Sequence, residues 1–216
     1  MARTQAPDFE QRRDRIVAEA AELFARDGFR GSSINDLAIA CGVSKSLLYH
    51  YFPSKEDILH AVMVGHLDQL LEDAEAAVSS EGDAAARLRR LLQDFMDHYV
   101  GASSRQKVLL NELGNLPTER RRSVVAKQRK LIDTVQGLLS QIHPGLAGDA
   151  RRARVATMLL FGMINWTLTW FDPEGALSPS EVTEMVLDRI LAPFPVQASS
   201  STSSPSPRGT DWQVRI

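Results

Sequence analysis

The sequence predicts an all-α fold: a small three-helix helix-turn-helix head joined to a larger helical body. Three observations predict it. Apolar residues recur at three- and four-residue spacing through most of the 216 residues, and the strict alternation of a half-buried strand is scarce. Pro53, Pro117, Pro144 and Pro173 fall between the periodic segments, where helices end. Near the N-terminus two very short helical runs flank Gly42, the pattern of a helix-turn-helix.

The elements follow in order. A first helix is expected over about 9–27, with Ile16, Ala20, Leu23 and Phe24 on its inner stripe and Arg12, Arg13, Glu19 and Glu22 outside. Gly28 stops it. Ser33 and Asp36 make a capping box that opens a second helix over 34–40, which Gly42 ends. Ser44 caps a third helix, Lys45–Tyr51, and Pro53 breaks it because proline cannot continue the ladder. Ser54 and Asp57 make a further capping box, starting a long helix over 55–78. Beyond Gly82, helices are expected over Ala84–Gly101, 106–113, Thr118–Ile142, 150–171 and Pro179–Leu191. From Gln197 the chain is rich in Ser and Pro, the composition of a disordered tail. The expected division is a helix-turn-helix head over 1–54, a larger helical body over 55–196, and the tail over 197–216.

The bulk numbers narrow the function. The formal charge of −2 means that any contact with nucleic acid must come from a local surface. Cys41 is the single cysteine, so neither an intrachain disulfide nor a Cys-rich zinc cluster is open to the chain, and no metal site is expected. Charged residues recur through the first 30 positions, unlike a signal peptide. The most apolar stretch, 158–171, is shorter than the roughly 20 residues a membrane span needs. A cytoplasmic protein without membrane contact is expected. An enzyme is the rival class, but the chain has no Gly-rich phosphate loop, no H-E-x-x-H helix and no G-x-S-x-G elbow. No cofactor is expected. His60 and His66 are six residues apart on one helix, a poor chelating pair, and read as surface or interface residues.

The segment 32–56 carries the functional argument. Ile34, Leu37, Ala38, Val43 and Leu48 repeat at spacings that bury one face of a small core, leaving Lys45, Ser46 and Tyr49 together on the other face of the third helix. A recognition helix puts that face into the major groove. Lysine donates to guanine O6 and N7, serine to several base edges, and Leu47 suits a thymine methyl. Tyr49, His50 and Lys55 are placed to hold phosphates, and Ser33 adds a hydroxyl at a helix N-terminus. Asn35 and Ser44 complete the candidate DNA-binding set. From Leu37 to Lys55 there is no acidic residue, although acids are common on both sides. Cys41, in the turn, reads as a small packed residue and not as a redox switch.

The pattern Ala20-x-x-Leu23-Phe24, Gly28-Phe29, Ser33-Ile34-x-Asp36-Leu37-Ala38, Gly42-Val43-Ser44-Lys45, Leu48-Tyr49-His50-Tyr51-Phe52 and Ser54-Lys55-Glu56 resembles the TetR/AcrR family of repressors. The resemblance covers 16–59, and its specificity lies in the combination. It implies a ligand-responsive transcriptional repressor, with a transcriptional activator of the same fold as the alternative. It also implies a homodimer through the last two helices, 150–171 and Pro179–Leu191, on a palindromic double-stranded operator. A small-molecule effector would sit between the middle helices. Leu92, Phe95, Met96 and Tyr99 make one apolar stripe there, Val108, Leu109 and Leu113 a second, and Leu131, Ile132, Val135 and Leu138 a third. The candidate ligand-binding residues are Phe95, Met96, His98, Tyr99, Asn111, Leu131, Val135, Phe161, Asn165, Trp166 and Thr169. The phrase 159–167, with Trp170, Phe171 and Pro173, is similar to the subset that responds to acyl-coenzyme A thioesters. An anionic effector of that kind needs cations at the pocket mouth, and Arg87, Arg89 and Arg90, Arg120 to Arg122, or Lys127, Arg129 and Lys130 are the clusters available.

Overall fold

A computed structural model describes residues 7–193 apart from Ala102, with Pro7 and Asp8 described by backbone alone. The described residues form ten α-helices and no strand, so the all-α expectation is borne out. They are α1 (Pro7–Asp27), α2 (Ile34–Cys41), α3 (Lys45–Tyr51), α4 (Lys55–Ser79), α5 (Ala84–Gly101), α6 (Ser103–Asn111), α7 (Thr118–Ile142), α8 (Pro144–Ala147), α9 (Ala150–Trp170) and α10 (Pro179–Leu191). A 3-10 turn, Leu113–Asn115, follows α6. The expected tail over 197–216 lies outside the described residues.

Capping chemistry sets most of these bounds. Ser33 and Asp36 form the full reciprocal box at α2, and Ser178 and Glu181 do the same at α10. Ser44 Oγ accepts the Leu47 N–H at α3. At α4 only half of the expected box forms. Ser54 Oγ accepts the Asp57 N–H, while Oδ1 of Asp57 meets the Arg120 guanidinium of α7. Between α2 and α3, Gly42 takes φ 65°, letting the Val43 N–H reach Ala38 O and the Gly42 N–H reach Ile39 O. Two elements depart from expectation. α6 is described from Ser103, ahead of the expected 106, and its Ser104 Oγ donates to Glu22 of α1. Pro144 opens the short α8 where a simple break was expected, since a proline at the first helical position lacks only an orphan donor.

Two hydrophobic cores share α4. The first joins α1, α2 and α3 to the first half of α4, to α6 and to the start of α7. It contains Phe24, Leu37, Leu48, Met63, Val108 and Val124. The second is built from the rest of α4 with α5, α7, α8, α9 and α10, around Phe95, Val135, Leu160 and Leu187. Leu67 belongs to the first core and Leu70, one turn on, to the second. Val108, Leu109 and Leu113, expected to line a ligand cavity, instead pack with the head. Their periodicity marks a buried face, and that face turns toward α1 and α4.

Cys41 lies in the first core, 3% exposed, and burial followed by the negative charge of Glu19 pushes its thiol up to about 11. The thiolate needed for oxidation is scarce at neutral pH, consistent with a packing role.

The turn generates a stability prediction. A Cβ at Gly42 would meet nothing within 4 Å, so any cost of Gly42→Ala is purely conformational. At this positive φ the variant should lose about 1–2 kcal/mol of unfolding free energy, read from urea denaturation. An unchanged midpoint would refute the left-handed turn.

Candidate functional site

The head presents one polar face. Leu48 is fully buried beneath α3, which leaves Lys45, Ser46, Tyr49 and His50 exposed and Leu47 half-buried at the edge. Of the adjacent rings, Tyr51 stacks on Phe9 at 4.6 Å and joins the core, while His50 stays outside. Ser33 and Asn35 are exposed at the start of α2. The Ser33 hydroxyl is committed to Asp36, whose carboxyl those bonds hold below its ordinary range. Ser44 likewise caps α3. Lys55 corrects the expectation of a phosphate contact. Its Nζ donates to the carbonyls of Phe29 (2.5 Å) and Ser32 (2.6 Å) and sits 4.0 Å from the Phe29 ring centroid. Those bonds tie the loop between α1 and α2 to the start of α4. Ile39 on α2, 70% exposed, is an apolar surface residue that the sequence reading passed over.

The body holds a polar quartet, one residue from each of four helices, with His66, Tyr99 and Gln106 buried and Asn165 half-buried. His66 (α4) donates from Nε2 to Gln106 Oε1 (α6) at 2.5 Å. Gln106 Nε2 donates to the Tyr99 hydroxyl (α5, 3.0 Å) and to Asn165 Oδ1 (α9, 3.1 Å). The Tyr99 hydroxyl completes the set by donating to Asn165 Oδ1 at 2.8 Å. Burial lowers the His66 imidazole to about 4 and pushes the Tyr99 phenol up, so both are neutral. An amide oxygen only accepts, which assigns the ring proton to His66 Nε2.

Beside the quartet lies a cavity of about 140 Å³, walled by Met96, Tyr99, Val100, Leu168, Phe171 and Pro173, with Ser103, Lys107 and Thr167 as its polar members. Of the expected ligand residues, Met96 and Tyr99 line it, and Asn165 bonds to Tyr99. Phe95, Leu131 and Val135 are buried in the second core, with Phe161 stacked on Phe95 at 6.4 Å. The other four are placed elsewhere. His98 lies 2.6 Å from Asp73 across α4 and α5. Asn111 is exposed at the end of α6 and donates to Lys107 O. Thr169 is exposed and donates to Trp166 O. Trp166 is 67% exposed and lines a different hollow. Neither the polarity of His98, Asn111 and Thr169 nor the resemblance carried by Trp166 tells which way a helix face turns.

That second hollow is an apolar groove of about 620 Å³ between α9 and α10, bordered by Leu159, Trp166, Trp170, Leu177 and Met185. This face of α9 is open. The arginine clusters expected at the pocket mouth are largely engaged by acids. Arg89 pairs with Glu184, Arg120 with Asp57, Arg122 with Glu119, Lys127 with Asp68 and Lys130 with Glu75. Lys107 is the cation that lines the small cavity.

His66, Gln106 and Lys107 were missed by the sequence reading. His66 lies four residues after Val62 and four before Leu70, squarely on the buried stripe of α4. Judging it by chelating distance to His60 hid that signal; it is 2% exposed and belongs to the interior.

Neutral His66 has a thermodynamic consequence. Its folded pKa of about 4 lies below the unfolded value of 6.5, so between these values the unfolded chain binds the extra proton. Stability should therefore fall as pH drops from 6.5 towards 4. Between pH 7 and pH 5 the loss from this residue should be roughly 2 kcal/mol. His66→Gln, which carries no titrating group, should show a correspondingly shallower fall in thermal denaturation. Identical slopes for the two proteins would contradict a buried neutral imidazole.

Comparison with known proteins bears on both sites. Residues 16–62 match the family described as bacterial regulatory proteins, tetR family, and residues 81–193, more than half of the chain, match the tetracyclin repressor-like C-terminal domain. The chain is 25% identical over 185 residues to the HTH-type transcriptional repressor KstR2 of Rhodococcus jostii, covering 83% of this chain and 89% of that one. It is similar to a crystal structure of a TetR-family transcriptional regulator from Bordetella parapertussis, with 40% identity, a TM-score of 0.80, and coverage of 84% and 95% of the two chains. It is also similar to AibR, solved in complex with isovaleryl coenzyme A and operator DNA, with 26% identity, a TM-score of 0.73, and coverage of 85% and 100%. The head motif and the helical body thus match together along one chain, and the protein belongs to the TetR family of bacterial regulatory proteins.

Proposed function

We propose that this protein is a transcriptional repressor that binds a palindromic operator as a homodimer and leaves it when a coenzyme A thioester enters the body. The observation that carries the reading is the exposed face of α3, where Lys45, Ser46, Tyr49 and His50 stand together in a segment without acids. Lys45 and Ser46 would meet base edges, with Leu47 against a thymine methyl and Tyr49 holding a phosphate. Ser33, Asn35, Ser44 and His50 would flank the phosphates. A bacterial operator lies in the cytoplasm, and so would the protein.

The dimer reading rests on the groove between α9 and α10. Four large apolar side chains, Leu159, Trp166, Trp170 and Met185, are each more than half exposed around it. Apolar patches of that kind mark contact surfaces. A two-fold pairing of identical patches buries both at once and sets two α3 helices in a symmetric relation that a palindrome can match.

The effector reading rests on the small cavity, on the Lys107 ammonium in its wall, which suits the phosphates of coenzyme A, and on the isovaleryl coenzyme A held by the similar AibR. α6 gives a route to the head. Ser103 and Lys107 line the cavity, while Val108 and Leu109 lie in the first core and Ser104 bonds Glu22 of α1. A ligand that prefers one position of α6 would shift the population of head orientations. Recognition helices displaced from successive major grooves, about 34 Å apart, lose the operator.

Two predictions test the operator and dimer readings. Lys45→Ala and Tyr49→Phe should keep wild-type helicity yet weaken operator binding, by about 1–3 kcal/mol for a base-edge contact. Wild-type affinity for both in a gel shift at physiological salt would refute the recognition face. Trp166→Glu should sediment as a monomer and lose tight operator binding, whereas a variant that stays dimeric would remove the α9–α10 groove from the interface.

A further inference from the structure

The polar quartet goes beyond what packing requires. Four polar side chains have been brought from α4, α5, α6 and α9 to one point inside the body, three of them buried and Asn165 half-buried, and burial there costs water contacts. Their hydrogen bonds run in one direction. His66 donates to Gln106, Gln106 donates to Tyr99 and Asn165, and Tyr99 donates to Asn165. Every path ends on the same atom, Asn165 Oδ1, which receives two bonds and is full.

That arrangement fixes the Asn165 amide. A flip would set its N–H groups against the donors of Gln106 and Tyr99. The Nδ2 group therefore occupies the other side, and among the described residues it donates to no protein acceptor. Asn165 is also the accessible end of the quartet, half-buried where His66, Tyr99 and Gln106 are buried. Bonds accepted at the oxygen polarise the amide and strengthen its N–H groups as donors. Asn165 is not itself a wall residue of the cavity, but it adjoins the wall at two points: its Oδ1 lies 2.8 Å from the hydroxyl of the wall residue Tyr99, and Leu168, one helical turn beyond it on the same side of α9, is a second wall residue.

We propose that Asn165, held in one orientation by Tyr99, Gln106 and His66, donates a hydrogen bond to the thioester carbonyl of the effector, so that the protein reads the acyl linkage and not the hydrocarbon alone. The proposal rests on the effector reading given above. The quartet offers a donor, so it selects for an acceptor. A carbonyl oxygen fills that role, and a thioether, which has the same chain and the same coenzyme but no oxygen, does not. The acyl chain lies against Met96, Val100, Leu168 and Phe171, and the Lys107 ammonium meets a phosphate.

The experiment titrates butyryl-, isovaleryl-, octanoyl- and palmitoyl-coenzyme A, the matched S-alkyl-coenzyme A thioethers and the free acids into the full-length protein bound to its operator. In the wild type the most active ester should release DNA at a concentration about tenfold or more below that of its thioether, the size expected for one buried hydrogen bond. Asn165→Ala should bring ester and thioether to the same concentration, each read against the variant's own operator affinity in the absence of effector. Tyr99→Phe, which keeps the ring but frees the amide to turn, should narrow the gap. The wild-type comparison stands whether or not the variants fold. Equal potency of ester and thioether in the wild type overturns the carbonyl contact and leaves the effector reading intact. A gap that persists in Asn165→Ala also overturns it, and would leave the quartet as a brace between helices. Release by free acids alone, or by no member of the panel, overturns the effector reading and this proposal with it.

Discussion

One face of α4 is buried from Ile58 to Ala77, and both hydrophobic cores are assembled against it. That burial is the constraint on which the rest depends. A helix of this length is stiff on the scale of its own side chains, and close-packed interiors do not deform continuously. Leu67 and Leu70, one turn apart, belong to different cores, so neither core can shift along α4 without straining the other. The head is therefore not a bead on a string. Its core continues into α6 and the start of α7, and the loop between α1 and α2 is tied to α4 by the Lys55 ammonium.

Charge reinforces the same spine from outside. Asp57, Asp68 and Glu75, spaced along α4, pair with Arg120, Lys127 and Lys130, spaced along α7. Each bridge is partly exposed and contributes little stability by itself. Together they fix the register of two long helices, because a slip of one turn would mismatch all three. This pairing also explains why cationic clusters that look available in the sequence are not gathered round the small cavity. Their partners are acids on the neighbouring helix, and the cavity is left with Lys107.

The head was legible in the sequence almost residue by residue, because its information is local. Ser33 with Asp36, Ser44, and Gly42 act on backbone groups within a few positions, and the structure uses them as the sequence implies. The body was legible only as a set of helices. Periodicity tells which face of a helix is apolar, but not which neighbour that face meets. Val108 and Leu109 had the right pattern for a cavity wall and instead pack against the head. Trp166 and Ile164 are two residues apart on α9, yet one faces solvent and the other the core. The quartet was legible in part, through Tyr99 and Asn165. Gln106 closes it, from a helix whose polar first turn concealed its start, and no local rule links residues 66, 99, 106 and 165.

The capping site at the start of α4 also joins the two halves. Asp57 supplies a helix-capping interaction through Ser54 and, with its other oxygen, reaches Arg120 on α7. A complete capping box would have kept both contacts local. Here the second contact joins the body to a residue only six positions beyond the last residue of α3. One turn further along, His60 meets Ser123 at 2.8 Å, a second link between the same helices. α6 is joined to the head through Val108, Leu109 and the Ser104–Glu22 bond, and α7 is joined to the start of α4 through Asp57 and His60. The cavity touches α6 directly, whereas the path through α7 must cross α4 or α5. α6 is the shorter route, and it is the helix that carries Gln106, the residue through which every bond from His66 to Asn165 passes.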